Sequence, residues 1–326
     1  MSGHITTIEK QSPVAGQWSS VGLTEFRPMT NHPPKVPHLS WPEVSARRLD
    51  RHALSTPAPD THPADIVAVM CGAHAQVLSA AELSIGLRIA GATRSDVRQA
   101  LWTDHSLIKT FGPRGTVHLL PAPDLPLWTG ALSALPPSPD PLPEEARMTP
   151  EQTGEVVAAI AVVLAGAELT VDELTEALVD IAGPWAGELV VPAWYGMWPR
   201  WRPAMYTAAN RGVLCFGPNR GRQVTYTNPR RWLPGFRPAD GQTALTGLVR
   251  RYLHAYGPAT PQQFAQWLAA PRRWATELFD SLAVEPLNPL TATQRRQLDD
   301  QVNRIGEILQ GKPELTIGPI TVGPHA

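Results

Sequence analysis

Leu107-Ile108-Lys109-Thr110-Phe111-Gly112-Pro113-Arg114-Gly115-Thr116-Val117-His118-Leu119-Leu120 reads as two short apolar strands joined through a turn with a glycine at each end. What precedes it sets the fold. Helical patterns run over 66–70 and over 80–90, the second closed by Gly91. A third starts after Thr93, with Asp96 completing a capping box and Val97, Leu101 and Trp102 on one face. Three helices followed by a two-stranded hairpin is the plan of a winged helix.

The plan recurs downstream. Residues 151–165 form an apolar-rich helix, and Thr170-Val171-Asp172-Glu173 is a capping box opening a second. A third helix is expected over 194–210, with Pro199 and Pro203 positioned to break or kink it. Strands at 212–216 and 223–226 then flank Pro218-Asn219-Arg220-Gly221-Arg222. A partial third copy has helices over 244–256, over 261–268 behind the cap Thr260, and from Pro271 through 282, with no recognisable wing. The fold expected is mainly α with short β-hairpins (α+β), built from tandem winged-helix modules. The divisions are a flexible leader (1–37), a first winged helix (38–130), a second (145–232), a partial third (240–284), and a C-terminal helix and tail (285–326).

Net charge is -1, yet the charges are segregated. Ten arginines and one acid, Asp240, lie from Arg200 to Arg251, whereas eleven acids and one basic residue, Arg147, lie from Asp140 to Glu188. A concentrated basic block is the footprint of a phosphate-backbone binder. The competing reading is that the two blocks pair with each other. Cys71 and Cys215 are the only cysteines, which excludes a disulfide framework and a cysteine zinc site as organising features. The longest apolar run, 156–166, is too short to span a bilayer, and the N-terminus has no apolar signal core. These features read as a soluble, cytoplasmic, monomeric protein with no membrane partner.

The chemistry points to Cys71-Gly72-Ala73-His74-Ala75-Gln76-Val77, between the helix over 66–70 and a helix that Ser79-Ala80-Ala81-Glu82 is patterned to cap. In extended backbone, residues two apart share a face. His74 and Gln76 then look into one space while Ala75 turns away. An imidazole can take a proton from water near neutral pH, and a carboxamide can orient that water. The ten histidines show no metal-ligand spacing, and no cofactor is called for.

The sequence resembles the winged-helix DNA glycosylases of the AlkZ and AlkX (YcaQ-like) family from about Leu39 to Leu282. Leu39-Ser40-Trp41 with Arg48-Leu49, Ala73-His74-Ala75-Gln76 and Arg114-Gly115-Thr116-Val117-His118-Leu119 carry the likeness. The most specific block is Arg251-Tyr252-Leu253-His254-Ala255-Tyr256-Gly257-Pro258-Ala259-Thr260, followed by Phe264 and Trp267. The resemblance implies tandem winged helices with a concave DNA-binding surface. It also implies monofunctional hydrolysis of the N-glycosidic bond of N7-alkylated guanines in double-stranded DNA. Family members commonly carry Gln-x-Gln or Gln-x-Asp where this chain has His74 and Gln76. The His-x-Gln form resembles variants tied to self-resistance against trioxacarcin-type alkylating antibiotics, which implies bulky natural-product adducts as substrate. The β-rich C-terminal section usual in the family is expected to be missing or shortened.

On this reading His74 and Gln76 are catalytic. Arg114 at the first wing, with Arg220, Arg222, Arg230 and Arg231 at and after the second, are the expected DNA-backbone contacts. His118 is expected to be structural or to line the site. Trp194, Trp198 and Trp201 are expected to be core or helix-packing residues and not base-stacking platforms, and His254 and Tyr256 to pack between modules. The alternative is a non-enzymatic winged-helix regulator or lesion-binding protein.

Overall fold

Ser40 opens the first helix with a capping box: its hydroxyl accepts the Glu43 N–H, and the Glu43 carboxylate accepts the Ser40 N–H at 2.6 Å. The computed structural model describes residues 40–137, 139–193, 195–282 and 296. The expected leader over 1–37, the terminal helix and tail over 285–326 (Arg296 apart) and the expected shortened β section therefore lie outside the described residues.

The first module runs α1 (Trp41–Arg51), α2 (Pro63–Val69), β1 (Ala73–His74), α3 (Leu78–Gly86), α4 (Arg94–Trp102), β2 (Leu107–Phe111) and β3 (Val117–Pro121). Its strands form an antiparallel sheet in the order β1-β3-β2, with Ala73 opposite Leu119 and His74 opposite His118. The expected capping box at Thr93 and Asp96 is formed. That at Ser79 is not: Val77 is the N-cap of α3 and makes no side-chain bond. Glu82 is buried instead and accepts from Arg94 at 3.0 Å and Arg98 at 2.7 Å, so its carboxylate cannot reach back to the helix start. α3 also stops at Gly86, short of Ala90, because Arg88 O and the Ala90 N–H bond to Ala58 instead of continuing the helix.

After α5 (Leu125–Ser133) the second module repeats the order: α6 (Pro150–Val163), β4 (Leu169–Thr170), α7 (Val171–Ala182), β5 (Leu189–Pro192), β6 (Met197–Pro199), α8 (Ala204–Asn210), β7 (Cys215–Arg220) and β8 (Gln223–Thr227). Its sheet order β4-β8-β7 matches β1-β3-β2, element for element. The helix expected over 194–210 is corrected. Met197–Pro199 is instead strand β6, paired back on β5 across a turn at Gly196 (φ 82), and only Ala204–Asn210 is helical. The β-branched Val190-Val191 favours extended backbone, and Pro199 and Pro203 cannot sit inside a helix; Pro203 becomes the N-cap of α8. Trp201 is fully buried and donates its indole N–H to Thr175 at 2.9 Å, as a core residue should. Trp198, expected as a core or helix-packing residue, is 41% exposed and lies under the Arg202 guanidinium; Trp194 lies outside the described residues.

The third module is α9 (Gly241–Tyr256), α10 (Pro261–Leu268) and α11 (Arg272–Ser281), with no wing among the described residues. No described helix is long and apolar enough to cross a membrane.

Two hydrophobic cores hold the modules together. One runs continuously from Ile66, Leu101 and Leu119 of the first module into Ile160, Leu174 and Phe216 of the second. The equivalent strands β2 and β7 meet there, with the Phe111 and Phe216 rings 5.5 Å apart. The other packs α5 on α9 and joins Cys71, Leu120 and Trp128 to Leu248, Tyr252 and Phe264 of the third module. Because β3 alternates between the cores, Leu119 faces one and Leu120 the other. The bidentate pair Arg251–Asp124 (2.5 and 2.6 Å) ties α9 to the start of α5. Arg48 of α1 donates to the carbonyls of Tyr256 and Pro258, where the end of α9 presents unpaired acceptors.

Candidate active site

The backbone turns sharply after α2. Cys71 (φ 55) and Gly72 (φ 93) are both left-handed, which reverses the chain and delivers residue 73 to the edge of the sheet. A non-glycine residue in that region costs about 1 kcal/mol or more, so packing must hold it. Two contacts do so: Tyr256 donates its hydroxyl to Met70 O at 2.9 Å, and the Cys71 side chain is buried in the second core. Burial and the neighbouring Asp124 push the Cys71 thiol up out of the reactive range, with only Arg251 opposing. Tyr256 thus packs between modules as the sequence implies.

Beyond the turn the chain is strand through His74. Ala75 donates its N–H to Val117 O at 2.7 Å and is fully buried, while His74 and Gln76 on either side of it are exposed. His74 ends the edge strand, and Gln76 follows it in the bend that leads to α3. The Gln76 carboxamide oxygen accepts the Val117 N–H at 3.3 Å, which assigns the amide orientation and leaves one lone pair and the NH₂ group facing outward.

His118, the cross-strand partner of His74, lies edge-on to it with ring centres 5.3 Å apart and planes at 76°. It is 5% exposed, and its Nδ1 donates to Thr116 O at 2.9 Å, because a carbonyl can only accept. Burial, reinforced by His74 and Arg114 and opposed by the Thr116 bond, pulls its pKa down to about 4. The sequence left His118 between a structural and a site-lining role; its ring is structural in its burial and touches the site through His74.

The expected backbone contacts fall into two groups. Arg114 (φ 62), at the first wing, is exposed and donates to Trp267 O at 3.4 Å, so that wing rests on the third module. Arg220 pairs with both carboxylate oxygens of Glu173 and with Glu168 O. Arg220 and the Thr170 N–H hold Glu173 down at about 2. Arg231 donates to Glu168 at 3.1 Å and to Thr227 at 2.8 Å. Arg200 pairs with Glu188 at 2.7 Å. The acidic and basic blocks therefore do pair in part, and Arg222 and Arg230 stand exposed with no carboxylate partner among the described residues. Sequence reasoning missed the cross-helix clamp of Arg94 and Arg98 on Glu82 and the Arg251–Asp124 pair. Only spatial proximity joins the latter two, so spacing carries no signal of them.

Three comparisons agree on a family. The family model described as DNA glycosylase AlkZ-like matches residues 67–308. An interstrand DNA cross-link repair glycosylase from Streptomyces sahachiroi is 36% identical over 261 residues, covering 74% of this chain and 66% of the relative. The chain thus spans just under two thirds of that relative's length. The solved structure of the DNA glycosylase AlkZ of Streptomyces sahachiroi superposes with a TM-score of 0.64 at 28% identity, over 80% of this chain and 72% of that one. With its paired winged helices and the outward-facing His74 and Gln76, the chain belongs to the AlkZ-like DNA glycosylase family.

Proposed function

We propose that this protein is a monofunctional DNA glycosylase that hydrolyses the N-glycosidic bond of N7-alkylguanine in double-stranded DNA. The observation that carries the reading is the exposure of His74, at the end of β1, and of Gln76 two residues on, with Ala75 buried between them. A water seated there donates one O–H to the His74 imidazole and the other to the free lone pair of the Gln76 oxygen. Its own lone pair is then aimed at the anomeric carbon C1′.

N7 alkylation already makes the guanine cationic. As the water oxygen bonds to C1′, the C1′–N9 bond breaks and its electron pair neutralises the departing base. His74 takes the proton, and an abasic sugar with a C1′ hydroxyl remains. General-base assistance of this kind contributes about 10²–10⁴-fold, and alignment of the water contributes further.

The exposed position of the pair suits a lesion too large to turn into a closed pocket. Histidine as the first residue of the pair supports bulky natural-product adducts as substrate, and with them a role in antibiotic self-resistance through base excision repair. The relative's cross-link repair activity makes interstrand crosslinks a second substrate class to assay. The test compares duplexes carrying one small and one bulky N7-guanine adduct, scoring free base by chromatography. Release of the bulky base at least about tenfold faster than the small one is expected, the least that a single added pocket contact supplies. Binding with no base released from either duplex would instead favour a lesion-binding protein.

A further inference from the structure

The His118 imidazole is held from several sides. Its Nδ1 is committed to Thr116 O. Gly112 lies against it so closely that a Cβ there would come within 2.7 Å of the His118 Cγ. Its Cδ2 packs toward Gly72, and its exposed neighbour in the site is the edge-on ring of His74. A flat ring fixed this firmly leaves His74, at the open edge of the sheet, one packed surface to lie against.

We propose that His118 is a positioning residue, whose anchored ring sets the orientation in which His74 meets the attacking water. The proposal rests on His74 being the base. Protonation argues for positioning over proton relay. The charged or titratable groups bearing on His118 are His74 and Arg114, and both oppose a positive charge on it. With a pKa of about 4, roughly one ring in a thousand is protonated at pH 7. It is a poor acceptor for the proton that His74 collects.

The experiment is a double-mutant cycle on base release under single-turnover conditions, with duplex affinity and the near-UV circular dichroism spectrum measured alongside. His118→Asn places an amide nitrogen where Nδ1 donates to Thr116 but removes the ring. Gly112→Ala keeps His118 and displaces it. Leu120→Val serves as a control for general loosening of β3. Both His118→Asn and Gly112→Ala are expected to slow release at least about tenfold while duplex affinity stays within about twofold. The acid limb of the rate profile is expected to move in His118→Asn and to stay put in Leu120→Val.

In a His74→Ala background the His118→Asn effect should vanish, because there is no longer a ring to orient. A fully additive effect, an unmoved acid limb or a wild-type rate in His118→Asn would each overturn the proposal. If His74→Ala itself released base at the wild-type rate, the functional reading would fall instead, so the two failures are told apart.

Discussion

The Gln76 carboxamide oxygen accepts the backbone N–H of Val117, so the outer member of the exposed pair is moored to the central strand of its sheet. That mooring leaves one lone pair on the same oxygen for water. Gln76→Glu supplies an equivalent oxygen and is expected to keep base release within about tenfold of wild type. Gln76→Leu supplies none and is expected to lose about 10²-fold, with the rate measured in single turnover.

Acid should weaken the fold through His118. Its pKa is lowered on folding from an ordinary 6.5 to about 4, so between those values the unfolded chain binds more protons than the folded one. Stability is then fully present above pH 6.5 and is lost as pH falls toward 4, by about 3 kcal/mol in total. His52, lowered by burial against Arg88 and Arg48, acts in the same direction. Urea unfolding at pH 7 and pH 4.5 should show the loss, and His118→Phe should reduce it. Equal stability at the two pH values would mean that the ring is hydrated.

Phosphate contacts should divide the arginines. Arg222→Ala and Arg230→Ala are each expected to weaken duplex binding and lower the log–log salt slope by about one. Arg220 is already neutralised by Glu173, so Arg220→Ala should change the slope less. Glu173→Gln frees that guanidinium and should tighten binding at low salt. Salt titrations by fluorescence anisotropy separate these cases, and identical slopes for every variant would remove the second wing from the interface.

Glu82 gives a stability test independent of activity. Among the described residues its buried carboxylate is compensated only by the half-exposed Arg94 and Arg98. Removing both arginines strands a buried charge, at an expected cost of about 3–5 kcal/mol, and adding Glu82→Leu should recover most of it. Thermal unfolding of the three variants checks this. An unaffected double-arginine variant would mean water reaches the carboxylate.

Much of the fold was legible because its signals are local. The capping boxes at Thr93 and Thr170 form as patterned and Thr260 caps α10 as expected, and they bound the helices whose order betrays the repeat. The exposure of His74 and Gln76 about a buried Ala75 has the alternation that a two-residue period gives. What escaped depends on contacts distant in sequence. Ser79 lost its cap because Glu82 had partners twelve and sixteen residues away. Strand β6 took the start of the stretch read as one helix: Pro199 and Pro203 mark breaks in it, but its pairing with β5 is a contact that helical patterning does not show. The pairing of Arg220, Arg231 and Arg200 with acids of the preceding block was foreseen only as a competing reading of the charge pattern.

The central claim is the chemistry of the His74–Gln76 pair, and one measurement reaches it directly. A duplex bearing a single bulky N7-alkylguanine is incubated with wild type and with the double variant His74→Ala/Gln76→Ala, then treated with alkali to cleave abasic sites. The account predicts strand cleavage at the lesion for wild type and its loss in the double variant, with duplex binding retained. Equal cleavage by both proteins would contradict it and place the chemistry elsewhere in the molecule.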